Sequence, residues 1–259
     1  MIKRKVSMII CVADDLRIKE MLHSINDYCE VIVVLNGATK EVKKIVNFFK
    51  KSKTFDLKTI EIPERNLSKA RNIGAKNAKY DKLVFYDSDC ILVDNAIDLY
   101  DKMLDKYMLV DGKVKFKAET FQSKIVSVLR SFGLPDCALC PSIGINKKII
   151  DKVGYYFDED IKWIEDSELN IRAKNKGVKI GIINEITCIH DNLSFKSDLR
   201  SAFRYGTGVK IAAMKGLHKK RPTANWNLII PCFRENFFSG IYCIIWNIIY
   251  CLGYYLTKY

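Results

Sequence analysis

The chain has 259 residues, 49% of them hydrophobic, enough for one large domain or a domain with an appendage. Its nine cysteines are odd in number and scattered, which suits a reducing cytosol better than a disulfide framework. A net charge of +13 and a pI near 9.2 fit either a lysine-rich solvated surface or an anionic partner: nucleic acid, a phosphate-bearing substrate or an acidic membrane.

The opening "MIKRKVSMIICVADD" is basic and then apolar, as a secretion signal is. Its apolar run is short, ends in Asp14-Asp15 and has no small-residue cleavage site after it, so it reads as a first strand. Residues 31–35 form a second β-branched run, and residues 16–28 between them have helical spacing. Val42, Ile45, Val46 and Phe49 mark an amphipathic helix with lysines on its other face. "LKTIEIP" is a third strand, closed by Pro63. "NLSKARNIGAKNAK" follows as a helix with Asn66 as its N-cap, and residues 83–86 are the next strand. This alternation predicts a parallel sheet with helices on both faces, and in such sheets ligands collect at the carboxyl ends of the strands.

Further on, residues 94–107 and 117–132 read as helices and "SIGINKKII" as a strand entering a turn. "WIEDSELNIRAKNKG" reads as a helix with acidic start, basic end and Gly177 as its stop. "VKIGII" and "ITCIH" read as two strands, and residues 195–215 as a long helix. Residues 236–257 carry no charge and are long enough to cross a bilayer, just after the basic "KGLHKKR". Cys137 and Cys140 form a C-x-x-C, but neither a second pair nor histidines at zinc spacing accompany it.

Chemistry concentrates in "LVFYDSDCILVD". Asp87 and Asp89 follow a buried-looking strand, and acidic residues in such a place are paired or hold a cation. Carboxylates at i and i+2 on a turn can converge on Mg²⁺ or Mn²⁺; they can equally cap a turn. Glu165-Asp166 opens a helix, where carboxylates often only complement the helix dipole. His190 ends the strand-like "ITCI" before a polar turn.

Taken in order, "VSMIICVAD", "ERNLSKARNIGAKNAKYDKLVFYDSD", "VGYYFDEDIKWIEDSELNIRAKNKGVKI" and "CIHDNLS" resemble the family-2 glycosyltransferases of the GT-A fold over roughly residues 5–210. The resemblance implies an α/β fold, a Rossmann-like mixed sheet flanked by helices, and the uncharged run adds a C-terminal apolar helical tail. Together they divide the chain into a transferase domain, 1–215, and a basic linker plus membrane-associating helix, 216–259. The resemblance implies an inverting transfer from a nucleotide-sugar, a UDP-sugar by default, and the basic body with its apolar, aromatic-rich tail suggests a lipid-linked or glycan hydroxyl as the acceptor.

By the same resemblance Asp89, Asp87 and His190 hold Mn²⁺ or Mg²⁺, and Asp87 faces the donor ribose. Asn36, Asn66, Arg71, Asn72, Ser88 and Arg204 line the donor side, and Asp166 is the general base. Two departures stand out: "VVLNGAT" puts Asn36 where relatives carry an aspartate, and the first strand ends in Ala13-Asp14 instead of proline and Tyr-Asn. The expected place of work is the cytoplasmic face of a membrane, through a peripheral helix or a single C-terminal span, with no nucleic-acid partner. Transfer to a polyprenyl phosphate, and a non-enzymatic basic module that binds membrane or nucleic acid, are the alternatives. A sugar-nucleotide-forming nucleotidyltransferase would want a glycine-rich basic loop near the first strand, and "CVADDLR" is not one.

Overall fold

The structure is a computed structural model that describes residues 4–26, 29–52, 55–132, 137–217 and 226–258. The described chain groups into two units. The first comprises Met1–Lys115, Asp136–Asp160 and Leu169–His190; the second comprises Phe116–Pro135, Ile161–Glu168 and Asp191–Tyr259.

The first unit is built on one sheet. In chain order its elements are β1 (Val6–Val12), α1 (Ile18–His23), β2 (Glu30–Asn36), α2 (Lys40–Ser52), β3 (Asp56–Ile62), α3 (Leu67–Asn77), β4 (Lys82–Asp87), β5 (Cys90–Leu92) and α4 (Ala96–Met103). They continue with β6 (Leu109–Phe116), β7 (Ser142–Asn146), a 3-10 turn (Lys147–Ile149), α6 (Ile150–Val153), α7 (Glu165–Asn175) and β8 (Ile180–His190), α5 (Phe121–Ser131) lying in the second unit. The first four residues of α7 group with the second unit. Strand order is β3-β2-β1-β4-β7-β6-β8-β5; β3, β2, β1 and β4 run parallel, while β7 is antiparallel to β4 and β6, and β5 to β8.

Both faces of the sheet are covered: its central strands β1, β2 and β4 are mostly apolar and buried at nearly every position. Met8, Ile10, Val31 and Val33 join one core with Met21, Val46 and Tyr100. Their neighbours in sequence, Ile9, Ile32 and Val34, point to the other face and join Ala70, Phe157 and Leu169. Gly74 of α3 lets that helix close on the sheet: a Cβ there would stand 2.5 Å from Ile9 Cγ2.

Several elements differ from the sequence reading. The helix expected over 16–28 is shorter, and Tyr28 lies outside the described residues. The helix expected over 94–107 is α4, which begins after Asn95, a residue held at φ +65°. β6 was not foreseen: Gly112 and its lysines mask a strand whose inner residues Leu109 and Val110 are buried. "VKIGII" and "ITCIH" belong to one strand, β8, which continues through the exposed Asn184-Glu185.

The second unit is helical, with α5, α8 (Phe195–Met214), α9 (Trp226–Glu235) and α10 (Phe237–Leu256). α9 is unforeseen because Pro231 sits inside it, where a proline normally breaks a helix. The basic "HKKR" lies outside the described residues. Arg130 of α5 donates through Nε to Asp198 of α8 at 2.7 Å, and the Tyr242 hydroxyl of α10 donates to the same carboxylate at 2.6 Å. This ties the three helices through one buried charge.

Candidate functional site

The parallel register aligns the carboxyl ends of three strands. Cys11 of β1 stands beside Val34 of β2 and Asp87 of β4. Val12 is followed by Asp14 and Asp15, β2 ends at Asn36, and β4 runs into Ser88-Asp89. β5 pairs antiparallel with β8, setting Cys90 opposite His190. That pairing brings a histidine about a hundred residues away in sequence to the acidic turn: His190 Nε2 lies 3.3 Å from Asp89 Oδ2.

Asp89 is the most crowded member. Burial pushes its carboxyl above the usual range, and the charges of Asp87 and Asp15 push the same way; His190 and Arg17 oppose them. Arg17 Nη2 donates to Asp89 Oδ2 at 3.2 Å, and Arg17 also grips Asp15 through Nε at 2.9 Å and Nη2 at 2.8 Å. Burial opposes the charge of Asp15, but the Arg17 contacts outweigh it and hold that carboxyl below its ordinary value. Ser88, itself buried, donates through its hydroxyl to Asp15 at 3.4 Å. Asp87 accepts from Arg71 Nη2 at 2.9 Å, and the nearly buried Arg71 guanidinium lies 5.8 Å from the centre of the Phe157 ring.

A second set lies around the start of α3. Asn66 caps the helix, accepting from Lys69 N at 3.0 Å, and its backbone N–H donates to Asn36 Oδ1 at 2.8 Å. Gly37, at φ +61°, lets the chain turn beside this contact. Asn72 clamps the backbone of Phe157: it donates to the carbonyl at 2.8 Å and accepts from the amide at 3.1 Å. It also donates to Glu159 Oε1 at 3.0 Å, while Asn66 donates to the Glu159 carbonyl at 2.9 Å.

Thus Asp87, Ser88, Asp89, His190 and Arg71 come together, and Asn36, Asn66 and Asn72 form the adjoining amide set. Asp166 and Arg204 lie in the second unit. Asp166 sits half-buried in the first turn of α7 and accepts from Ser167 N at 2.7 Å. Arg204 is exposed, 5.7 Å from the centre of the Trp163 ring. Asp15, Arg17 and Glu159 are the additions of the structure. The signal for the first two was present in "DDLR", which follows a strand at the same sheet end as "DSD".

Among the described residues no group of three or more His, Cys, Asp or Glu converges as a metal site. Asp89 and His190, with Asp87 on the same turn, are the residues that could hold a cation. Mg²⁺-like ions often use one or two protein ligands and complete their shell with water and phosphate oxygens. The donor set therefore fits an ion that arrives with a phosphorylated ligand.

A half-parallel, half-antiparallel sheet with an acidic turn at the carboxyl end of its fourth strand is the GT-A architecture, a glycosyltransferase fold. Residues 7–133 match the family described as Glycosyl transferase family 2. A protein of Rickettsia bellii (strain RML369-C), named an uncharacterized glycosyltransferase, is 24% identical over 132 residues; the match covers 49% of this chain and 19% of that protein. Among solved structures, the mannosyltransferase PcManGT from Pyrobaculum calidifontis, in complex with GDP-Man and Mn²⁺, superposes with a TM-score of 0.65 at 16% identity, over 98% of this chain and 73% of that one. TarS 1-349 of S. aureus, in complex with UDP-GlcNAc, gives 0.58 at 15% identity, over 96% and 90%.

Proposed function

We propose that this glycosyltransferase moves a sugar from a nucleotide-sugar, a UDP-sugar by default, to a hydroxyl of a lipid-linked or glycan acceptor, with inversion. The observation that carries this reading is the Asp87-Ser88-Asp89 turn at the end of β4, with His190 against Asp89. The neighbours bound to UDP-GlcNAc and to GDP-Man with Mn²⁺ support it by likeness of fold.

Asp89, Asp87 and His190 would hold Mn²⁺ or Mg²⁺, which would supply positive charge for a departing nucleoside diphosphate. Arg71 sets Asp87 in place, leaving the second carboxylate oxygen of Asp87 for a ribose hydroxyl. Asn36, Asn66 and Asn72 order the 157–159 segment beside α3 on the nucleotide side, and Ser88 and Arg204 add donors for phosphate oxygens. Asp166 accepts the proton of the attacking hydroxyl. Residues 1–215 carry this chemistry. Residues 216–259 attach the protein to the cytoplasmic face of a membrane, where nucleotide-sugars are made; α10 is long and apolar enough to cross one. The partners are donor, acceptor and membrane, not nucleic acid.

Calorimetric titration with UDP and with GDP tests the donor half. Binding should require Mn²⁺ or Mg²⁺ and should be lost in Asp89→Ala, with the melting temperature unchanged. Equal affinity with and without the ion in the wild type would reject it.

A further inference from the structure

The geometry points to α10 lying in the plane of an anionic bilayer surface, with one face in the lipid, rather than crossing it; this rests on the membrane reading above. The helix is amphipathic in the inverted sense. Its inward face carries Ser239, Gly240, Asn247 and Gly253, all buried, with Tyr242 and Cys243. Its outward face carries Ile241, Ile244, Ile245, Ile248 and Leu252, spaced by three and four residues and each 38% to 54% exposed. A soluble helix would do the opposite.

The inward face is closely fitted. A Cβ at Gly253 would stand 2.0 Å from the Phe203 carbonyl of α8, and one at Gly206 of α8 would stand 1.9 Å from the Tyr250 carbonyl of α10. At the other end Ser239 donates to the Ile125 carbonyl of α5 at 3.4 Å, and Tyr242 to Asp198 of α8. α8 therefore accompanies α10 along its length. α8 carries Lys196, Asp198, Arg200, Arg204 and Lys210. A spanning α10 would either drag these charges into hydrocarbon or tear its inward face from its partners, and neither is favourable. An in-plane helix leaves α8 in water and lowers only the isoleucine face.

The occupant is lipid because the charge and the ring chemistry match it. From Lys196 to Lys258 the sequence carries ten Lys and Arg against two acidic residues. That excess complements anionic headgroups. Where α9 meets α10, exposed Phe237 and Phe238, with Phe121 of α5 against Phe238 at 5.9 Å between ring centroids, form an aromatic edge of the kind that settles at the membrane interface, and Trp226 is exposed at the start of α9.

The test uses the full chain, sealed phosphatidylcholine vesicles with and without phosphatidylglycerol, and a protease-cleavable tag after Tyr259. The wild type should sediment with anionic vesicles and keep its tag cleavable from outside. Ile244→Asp with Ile248→Asp should lower vesicle binding at least ten-fold, with melting temperature and nucleotide binding unchanged. Should that variant not fold, quenching of wild-type tryptophan by brominated lipids decides: bromines near the headgroup should quench more than bromines at the acyl end. A bound protein with a protected tag, or stronger quenching at the acyl end, means a span and overturns the in-plane helix while leaving membrane attachment intact. No binding to any vesicle rejects both. A dimer in solution that the double substitution dissociates, with vesicle binding unchanged, makes a second copy the occupant and overturns the proposal.

Discussion

At the scale of single residues, Asp89 shows why an acidic turn after a buried strand is informative. Burial alone disfavours its charge, and in this structure the Arg17 guanidinium offsets that, with His190 Nε2 beside the same carboxylate oxygen. The carboxylates were legible because their flanks are apolar. Arg17 was not, since an arginine two residues past a strand looks like any surface cation until the sheet register places it. In the proposed reading a divalent ion would compete with Arg17 for Asp89 Oδ2, so Arg17→Ala should bind Mn²⁺ about 2- to 5-fold more tightly without nucleotide, the range of a solvent-screened ion pair. Manganese titration followed by electron spin resonance measures this; weaker binding would make Arg17 a support of the site and not a competitor.

Asp111 gives a second residue-scale expectation, independent of the site. Burial pushes its carboxyl up to about 6, against the hydrogen bond donated by Leu139 N at 3.3 Å. A raised folded value means that this group favours the folded state most at low pH, and that the benefit is lost as pH rises through about 6. Asp111→Asn keeps the shape and removes the charge. It should stabilise the protein by about 1–3 kcal/mol above pH 7 and by little below pH 4. Parallel pH-dependent melting curves for the two proteins would contradict this.

At the scale of elements, periodicity located most of the helices and strands of the first hundred residues, since their apolar spacing is regular. It failed where packing overrode local preference. β6 carries Gly112 because Tyr100 fills the space a side chain would need: a Cβ there would stand 1.8 Å from its hydroxyl. α9 tolerates Pro231, and α10 hides its small and polar residues and shows its apolar ones. None of these can be read without the neighbouring element. α7 was legible from its charge gradient, and it carries the proposed base in its first turn, where the helix dipole favours a carboxylate in its ionised form. Asp166→Asn should lower the transfer rate by about two to four powers of ten and leave UDP affinity unchanged. A mild effect on rate would indicate an acceptor that is already anionic, such as a polyprenyl phosphate. A loss of donor affinity would move Asp166 out of the acceptor role.

At the scale of the molecule, the excess of positive charge is the least specific observation in the sequence, and the structure gives part of it an address. Asp15, Asp87 and Asp89 gather at one end of the sheet in the first unit, while the second unit holds the basic α8 and the uncharged, apolar α10. The resemblance to the family was legible because the ordered motifs lie at strand ends and helix starts, in short, chemically distinctive stretches. The donor sugar and the acceptor left no such mark. The most direct test of the whole account is therefore the release of nucleoside diphosphate by the full chain from a panel of UDP- and GDP-sugars, with Mn²⁺ and again with excess chelator. Release is expected from at least one of these donors, abolished by the chelator and by Asp89→Ala. Release that persists in both conditions, or no binding of any donor by a folded protein with Mn²⁺ present, would contradict it.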